Sequence, residues 1–501
     1  LSRFVHATFD AFSRECYIHF RTGFFVMQGN VAASEAKPAG AEWLAHAASL
    51  PLSDARAEAM AILALIPITL GVALWNGFPI IFYDTGAYLL EGLGRVFLPE
   101  RSPVYSLLLD FGGARLSLWL IAMLQAAATA FIMVETVRAV APRMSLAAML
   151  GLGIGLVLLT GLPWYVGQIE PDCFAAIVVL AIYLLAFHAE TGWRKWLTLA
   201  IATLAVAVHP SHLLLAAGLA IAIVLYRAVL FFMKAKDWPS ARMAEPYAAF
   251  VLGLALIVTC NVILTGQVFV SRSGPAFIFA RMLQDRIVMR LLDDTCPQAH
   301  YRLCAYKEEL PRTADQWLWG RGSPFFQMGR FTGTSAESTR IIETSLERYP
   351  GLQAESAISD AFRQFTMFKT GDQIEPQEWI LSKPLGEFIP RQTRAYLAAR
   401  QQEGQIDFRP INVVHLTVAW LSLAGLAAAF ALSIRRKLKR NMLFLGFILL
   451  ALMGNAAICG ALSNPHDRYQ SRLVWLAPFA LVLIVGDWPI SALRPLRESG
   501  T

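Results

Sequence analysis

From about residue 58 onward the chain alternates long apolar runs with short polar joints. Crossing a hydrocarbon core takes about 20 mostly apolar residues. Runs of that kind lie at about 58–76, 115–135, 145–163, 172–188, 196–209, 212–233, 246–265, 411–434, 441–462 and 472–489, giving ten predicted spans. The runs at 172–188 and 196–209 are short and need protein contacts or their flanks to complete a crossing. A further apolar stretch near 103–110, broken by Asp110 and Gly112-Gly113, is too short to span and reads as an interfacial or re-entrant helix. The pattern predicts an all-α polytopic membrane protein of about ten transmembrane helices. The longest polar stretch, 266–410, forms a mainly helical periplasmic domain between the seventh and eighth, with helical stretches at Ser335 to Arg348 and Gln353 to Phe368.

Cytoplasmic loops concentrate Lys and Arg, which tests the span count. With the N-terminus inside, five further segments face the cytoplasm. They hold Arg138 and Arg143; Arg194 and Lys195; Arg227, Lys234, Lys236 and Arg242; Arg435 to Arg440; and Arg494 with Arg497. All are basic, whereas the opposite loop at 164–171 has Glu170 and no Lys or Arg. An even count follows, with both termini cytoplasmic. The chain then divides into a cytoplasmic or interfacial segment 1–55, spans 1–7 at 56–265, the periplasmic domain at 266–410, and spans 8–10 with a short cytoplasmic tail at 411–501. The first 55 residues lack the apolar core and cleavage site of a secretory signal. They open on Leu1 with Met27 downstream, and Phe4 to Phe25 is aromatic and mildly amphipathic, as in a membrane-surface helix.

Composition agrees with a membrane protein. Of 501 residues, 56% are hydrophobic and 16% charged, against roughly 25% charged in soluble proteins. Disorder, collagen-like repeats and a disulfide-dense scaffold are excluded. The net charge of +7 is not gathered into a basic stripe with interleaved aromatics, so nucleic acid is not the partner. Cys173, Cys260 and Cys459 fall in apolar runs as buried thiols. Cys296 and Cys304, eight positions apart in the outer stretch, suit a local disulfide in an oxidising compartment, with two free thiols as the alternative.

The unusual polar residues fall in the predicted outer loops. Asp84 stands among aromatics in the stretch Phe82-Tyr83-Asp84-Thr85-Gly86-Ala87-Tyr88, followed by Arg95, Arg101 and Tyr105. A carboxylate at such a boundary suits a general base; equally, Asp84 suits a helix N-cap bonding the backbone of Gly86 or Ala87. The second outer loop carries Gln168, Glu170 and Asp172. The ExD pair can hold a hard divalent cation, Mg or Mn, with substrate phosphate oxygens; ordinary capping around Pro171 is the plainer explanation. His209 and His212 suit metal or phosphate binding, or a polar helix junction. The last outer loop holds His466, Arg468 and Arg472. Its two arginines, four apart, share a helix face and suit a phosphate or pyrophosphate, or a salt bridge to Asp467 or Asp84. Span interiors offer mainly Gln125, Asn261 and Asn455, and so few intramembrane charges argue against ion-coupled transport.

On these residues the chain resembles the GT-C superfamily of polytopic membrane glycosyltransferases. Asp84 in the first outer loop matches the catalytic acid of that superfamily, Glu170 and Asp172 look like its second acidic motif, and Arg468 and Arg472 match arginines that hold the donor phosphate. The resemblance implies a bacterial inner-membrane enzyme that transfers sugar from a polyprenyl-phosphate donor, using membrane lipid as its medium. Arg101, Tyr105, Gln168, His209, His212, His466, Arg468 and Arg472 would bind substrate, and envelope-assembly proteins are further partners. The chain departs from the better-known pattern in two respects: Glu91 lies seven residues from Asp84 rather than adjacent, and the large outer domain is internal. The alternatives are a flippase, transporter or assembly component of polysaccharide export and, less favoured, an acyl- or phospho-group transferase, for which no HxxxxD motif is present.

Overall fold

Helix-forming apolar runs cannot leave backbone groups unpaired in hydrocarbon, so each closes its own hydrogen bonds. The computed structural model describes residues 48–188 and 191–486. Among them there are helices and two isolated bridges, Pro51–Ser145 and Ile80–Gln168, but no strand. The expectations for Phe4 to Phe25 and for Arg494 and Arg497 lie outside the described residues.

Among the described residues, seven helices are long and apolar enough to cross a membrane: Ala55–Asn76, Leu118–Val140, Pro210–Phe232, Ala244–Thr265, Phe408–Arg435, Lys439–Leu462 and Asp467–Val485. The first is interrupted at Leu70, and Pro67 within it leaves the Leu63 carbonyl without its N–H partner one turn back. The protein is thus all-helical in its described part and has the character of a multi-pass membrane protein. The runs at 145–163, 172–188 and 196–209 give shorter helices. Leu146–Leu159 and Phe174–Phe187 have 14 residues each, and Gly192–Ala207 has 16. At 1.5 Å per residue these measure about 21–24 Å, less than the roughly 30 Å of a hydrocarbon core.

Burial separates centre from periphery. In Leu118–Val140, 72% of the apolar window is buried, against 28% in Pro210–Phe232 and Ala244–Thr265. Every residue from Phe174 to Ala186 is buried, so the short Phe174–Phe187 helix is wrapped by protein on all sides. Pro103–Phe111 is the short helix anticipated at 103–110. The segment 266–410 carries its own apolar core, in which Phe279, Trp317, Phe325, Phe331 and Ile341 pack together. Cys296 and Cys304 are joined by a disulfide in that segment, and Cys173, Cys260 and Cys459 are free and buried.

Two polar clusters mark opposite stretches of the Leu118–Val140 helix. Gln125 accepts from the Tyr105 hydroxyl at 2.7 Å and donates to the carbonyls of Val166 and Gln168 at 3.0 and 2.7 Å. Ten positions on, Glu135 meets Arg138 and Arg194. The first cluster borders the candidate site; the second lies about 15 Å along the helix axis from it.

Candidate functional site

The first loop is held from two sides before it reaches Asp84. Ile80 N–H donates to the Gly167 carbonyl and Ile169 N–H to the Ile80 carbonyl, each at 2.9 Å, which ties the first loop to the second. Gln401 accepts from Ile81 N–H at 3.0 Å and returns a bond to the Ile81 carbonyl at 2.7 Å. Phe82 then caps the Tyr83–Gly94 helix, its N–H donating to the Thr85 hydroxyl at 3.0 Å. Asp84 is therefore the second residue of that helix. This corrects the N-cap alternative: its carboxylate faces arginines instead of backbone.

Arg101 forms an ion pair with Asp84 from the start of the neighbouring Pro103–Phe111 helix. Arg468 approaches the other Asp84 oxygen at 3.8 Å and Asp172 at 3.6 Å. Arg472 donates to Asp172 Oδ1 at 2.6 Å, to Ser211 Oγ at 3.1 Å and to Asn455 Oδ1 at 3.4 Å. The Arg468 guanidinium lies 4.2 Å over the Phe82 ring and 5.3 Å from Tyr469, an arrangement worth about 1–2 kcal/mol when shielded from water. Three guanidiniums and two carboxylates thus form a chain from Arg101 through Asp84, Arg468 and Asp172 to Arg472. The Nε–H groups of Arg101 and Arg472 are buried without a hydrogen-bond partner, and that of Arg468 has Asp172 no nearer than 3.6 Å. Such donors are costly to leave unmet, and several together suit an oxyanion.

Glu170 completes the cluster. Its Oε1 lies 3.5 Å from Thr85 Oγ1, and its Oε2 is buried without a partner. Burial pushes its pKa well above the usual carboxylate range; Asp84 and Asp172 add to the rise, against the pull of Arg468 and Arg101. This environment does not fit the divalent cation expected of the ExD pair. Asp172 is already claimed by two arginines, Glu170 favours its neutral form, and no group of three or more His, Cys, Asp and Glu among the described residues is placed to hold a metal ion.

The remaining expected residues take other positions. Tyr105 and Gln168 are buried beneath the arginines in the Gln125 network, and Tyr105 packs edge-on to Tyr88 at 4.8 Å. His209 caps the Pro210–Phe232 helix through Nδ1, while His212 Nδ1 meets the Ala205 carbonyl at 2.9 Å. Asn261 and Asn455 anchor local backbone, donating to Phe269 O and Tyr469 O at 2.9 and 2.7 Å.

His466 belongs to a separate latch, 3.3 Å from Asp315 and 3.7 Å from Asp372. The latch is continuous with the site because Arg468 N–H donates to Asp372 Oδ2 at 3.3 Å. Asp315 and Asp372 were not legible as partners: nothing in a polar stretch of mixed charge distinguishes them from other acids. Burial alone would lower the His466 pKa, but the hydrogen bonds and charges of Asp315 and Asp372 outweigh it and push the value up to about 9. A histidine raised above its unfolded value of about 6.5 contributes fully below that pH. The contribution is lost as pH climbs through about 9. Thermal unfolding should show stability declining between those limits, by on the order of 3 kcal/mol, and His466→Asn should flatten the decline.

The hairpin that carries Asp84 and Arg101 depends on close backbone approach. A Cβ on Gly92 would stand 2.2 Å from the Ser106 carbonyl oxygen. Beside it, Glu91 accepts from Ser106 Oγ at 2.6 Å and Leu98 N–H at 3.1 Å. Gly92→Ala should therefore force the two helices apart at a cost of about 1–3 kcal/mol, despite alanine's better helix propensity. A lowered melting temperature together with weaker anion binding is the expected result.

No family model, curated protein or solved structure matches the chain.

Proposed function

We propose that the protein is an integral-membrane glycosyltransferase of the GT-C kind, which moves a sugar from a polyprenyl-phosphate donor to an envelope acceptor. The supporting observation is the convergence of Arg101 and Arg468 on Asp84, and of Arg468 and Arg472 on the neighbouring Asp172, with buried unpartnered donors beside an apolar helical bundle. Guanidiniums suit a phosphate whose charge grows as the sugar departs. A lipid tail on that phosphate would lie among the apolar helices while its head reaches the site. Asp84, with 20% of its side chain exposed against 1% for Asp172, is the acid an incoming acceptor can reach. In the reaction the acceptor oxygen bonds to the anomeric carbon and its proton passes to Asp84. The bond from that carbon to the phosphate oxygen breaks, leaving the electron pair on phosphate.

In this proposal the three shorter helices complete their crossings through flanking residues, giving ten spans. The Lys/Arg distribution supports a site on the non-cytoplasmic side of a bacterial inner membrane, with 266–410 on the same side and both termini inside. Envelope-assembly proteins would supply the acceptor. Asp84→Asn tests the function in a complementing strain: product per folded molecule should fall by about 10²–10⁴-fold. Full activity of that variant would remove Asp84 as the base.

A further inference from the structure

We propose that Glu170 acts as a neutral carboxylic acid that donates a hydrogen bond to the donor phosphate, so that the site binds a phosphodiester in its protonated form and releases it when Glu170 ionises. The inference rests on the phosphate-binding reading of the same arginines and adds the residue that sets its charge.

Geometry carries the argument. Glu170 is 1% exposed, and its Oε2 meets no hydrogen-bond donor despite three guanidiniums in the cluster. The Thr85 hydroxyl gives its single hydrogen to the Ile169 carbonyl at 3.0 Å, leaving Glu170 Oε1 only the longer 3.5 Å approach. An ionised carboxylate left so poorly solvated is far more costly than a neutral acid in the same place, and the neutral acid's own unmet O–H is what a ligand would satisfy. The titratable groups facing Glu170 are Asp84 and Tyr88 on one helix, Arg101 and Tyr105 at the next, Asp172 beside it in sequence, and Arg468 from the last loop.

The charges then decide what binds. Arg101, Arg468 and Arg472 face Asp84 and Asp172, so with Glu170 neutral the cluster has one positive charge in excess. That excess matches a phosphodiester, which is singly charged throughout the neutral range. Ionising Glu170 cancels the excess and puts a third carboxylate against the ligand. The unpartnered Nε–H groups of Arg101 and Arg472 and the O–H of Glu170 together supply donors to the phosphate oxygens, while the Arg468 Nε faces Asp172 at 3.6 Å.

The test uses the full-length protein in lipid nanodiscs and dibutyl phosphate, whose own charge stays fixed across pH 5 to 8.5. Calorimetric affinity of the wild type should fall toward alkaline pH, with a limiting slope of about tenfold per pH unit once Glu170 ionises. Glu170→Gln, an isostere of the neutral acid, should match wild type at pH 5 and stay flat. Asp84→Asn, by removing a neighbouring negative charge, should move the wild-type fall to lower pH, and it serves if the glutamine variant does not fold. A flat wild-type profile, or a glutamine variant that keeps the fall, overturns the role of Glu170 while leaving phosphate binding intact. No binding by wild type at any pH overturns the phosphate site itself, and this proposal with it.

Discussion

Replacing Arg472 by methionine is expected to destabilise the protein by about 3–5 kcal/mol and to abolish phosphodiester binding. Arg472 has 0% and Asp172 1% of its side chain exposed, so the substitution strands a carboxylate in a place water does not reach. Arg468, 3.6 Å from Asp172, compensates only in part, because its charge is shared with Asp84 at 3.8 Å. Ser211 and Asn455 lose a donor as well. The double variant Arg472→Met, Asp172→Leu should recover most of the stability, since removing both partners of a buried pair is far cheaper than removing one. It should not recover binding. Thermal unfolding of the three proteins, read beside dibutyl phosphate titrations, separates the two effects. A single variant that melts with the wild type would show that the pair is not buried as described.

That pair was not legible in the sequence, although its members were. Asp172 and Arg472 were each singled out by position, but 300 residues separate them, and charge type alone cannot choose among several acids and bases. The alternatives for Arg468 and Arg472 named Asp84 and Asp467; only the first is met, by Arg468, while Asp467 instead accepts from Lys369 N–H at 2.8 Å. Helix positions were far easier. The runs 212–233, 246–265 and 441–462 correspond to Pro210–Phe232, Ala244–Thr265 and Lys439–Leu462 because lipid-length apolar runs have few other ways to satisfy their backbone. The run set at 196–209 begins instead at Gly192. Hydropathy stops at Trp193-Arg194-Lys195 for lack of apolar residues, yet the helix continues because Arg194 has carboxylates to meet. The extent of an apolar run is written locally, whereas the partner of a buried charge is set by packing between distant segments.

The same reasoning gives the second large effect, at the other end of the Leu118–Val140 helix. Arg194→Met should cost about 3–5 kcal/mol while leaving phosphodiester affinity per folded molecule unchanged. Arg194 donates to both oxygens of Glu58, through Nη2 at 2.6 Å, and through Nη1 to Glu135 at 2.5 Å. It thereby joins three helices, Ala55–Thr69, Leu118–Val140 and Gly192–Ala207. Glu58 and Glu135 have 5% and 0% of their side chains exposed. Without Arg194 they keep Arg138, 3.7 Å and 2.8 Å away respectively, but lose the guanidinium that meets both. Adding Glu135→Gln to Arg194→Met should restore part of the loss by removing one of the two negative charges. About 15 Å along the helix axis separates Glu135 from Gln125 and the layer beneath the arginine site, and the ion pairs of Arg138 and Arg194 with Glu58 and Glu135 do not include Asp84, Arg101 or Asp172. Melting should therefore drop as far as in the Arg472 variant while the affinity of the molecules still folded at low temperature holds. Loss of binding in step with loss of stability would mean that the two charge clusters are coupled through the helix instead of acting as separate fastenings of one bundle.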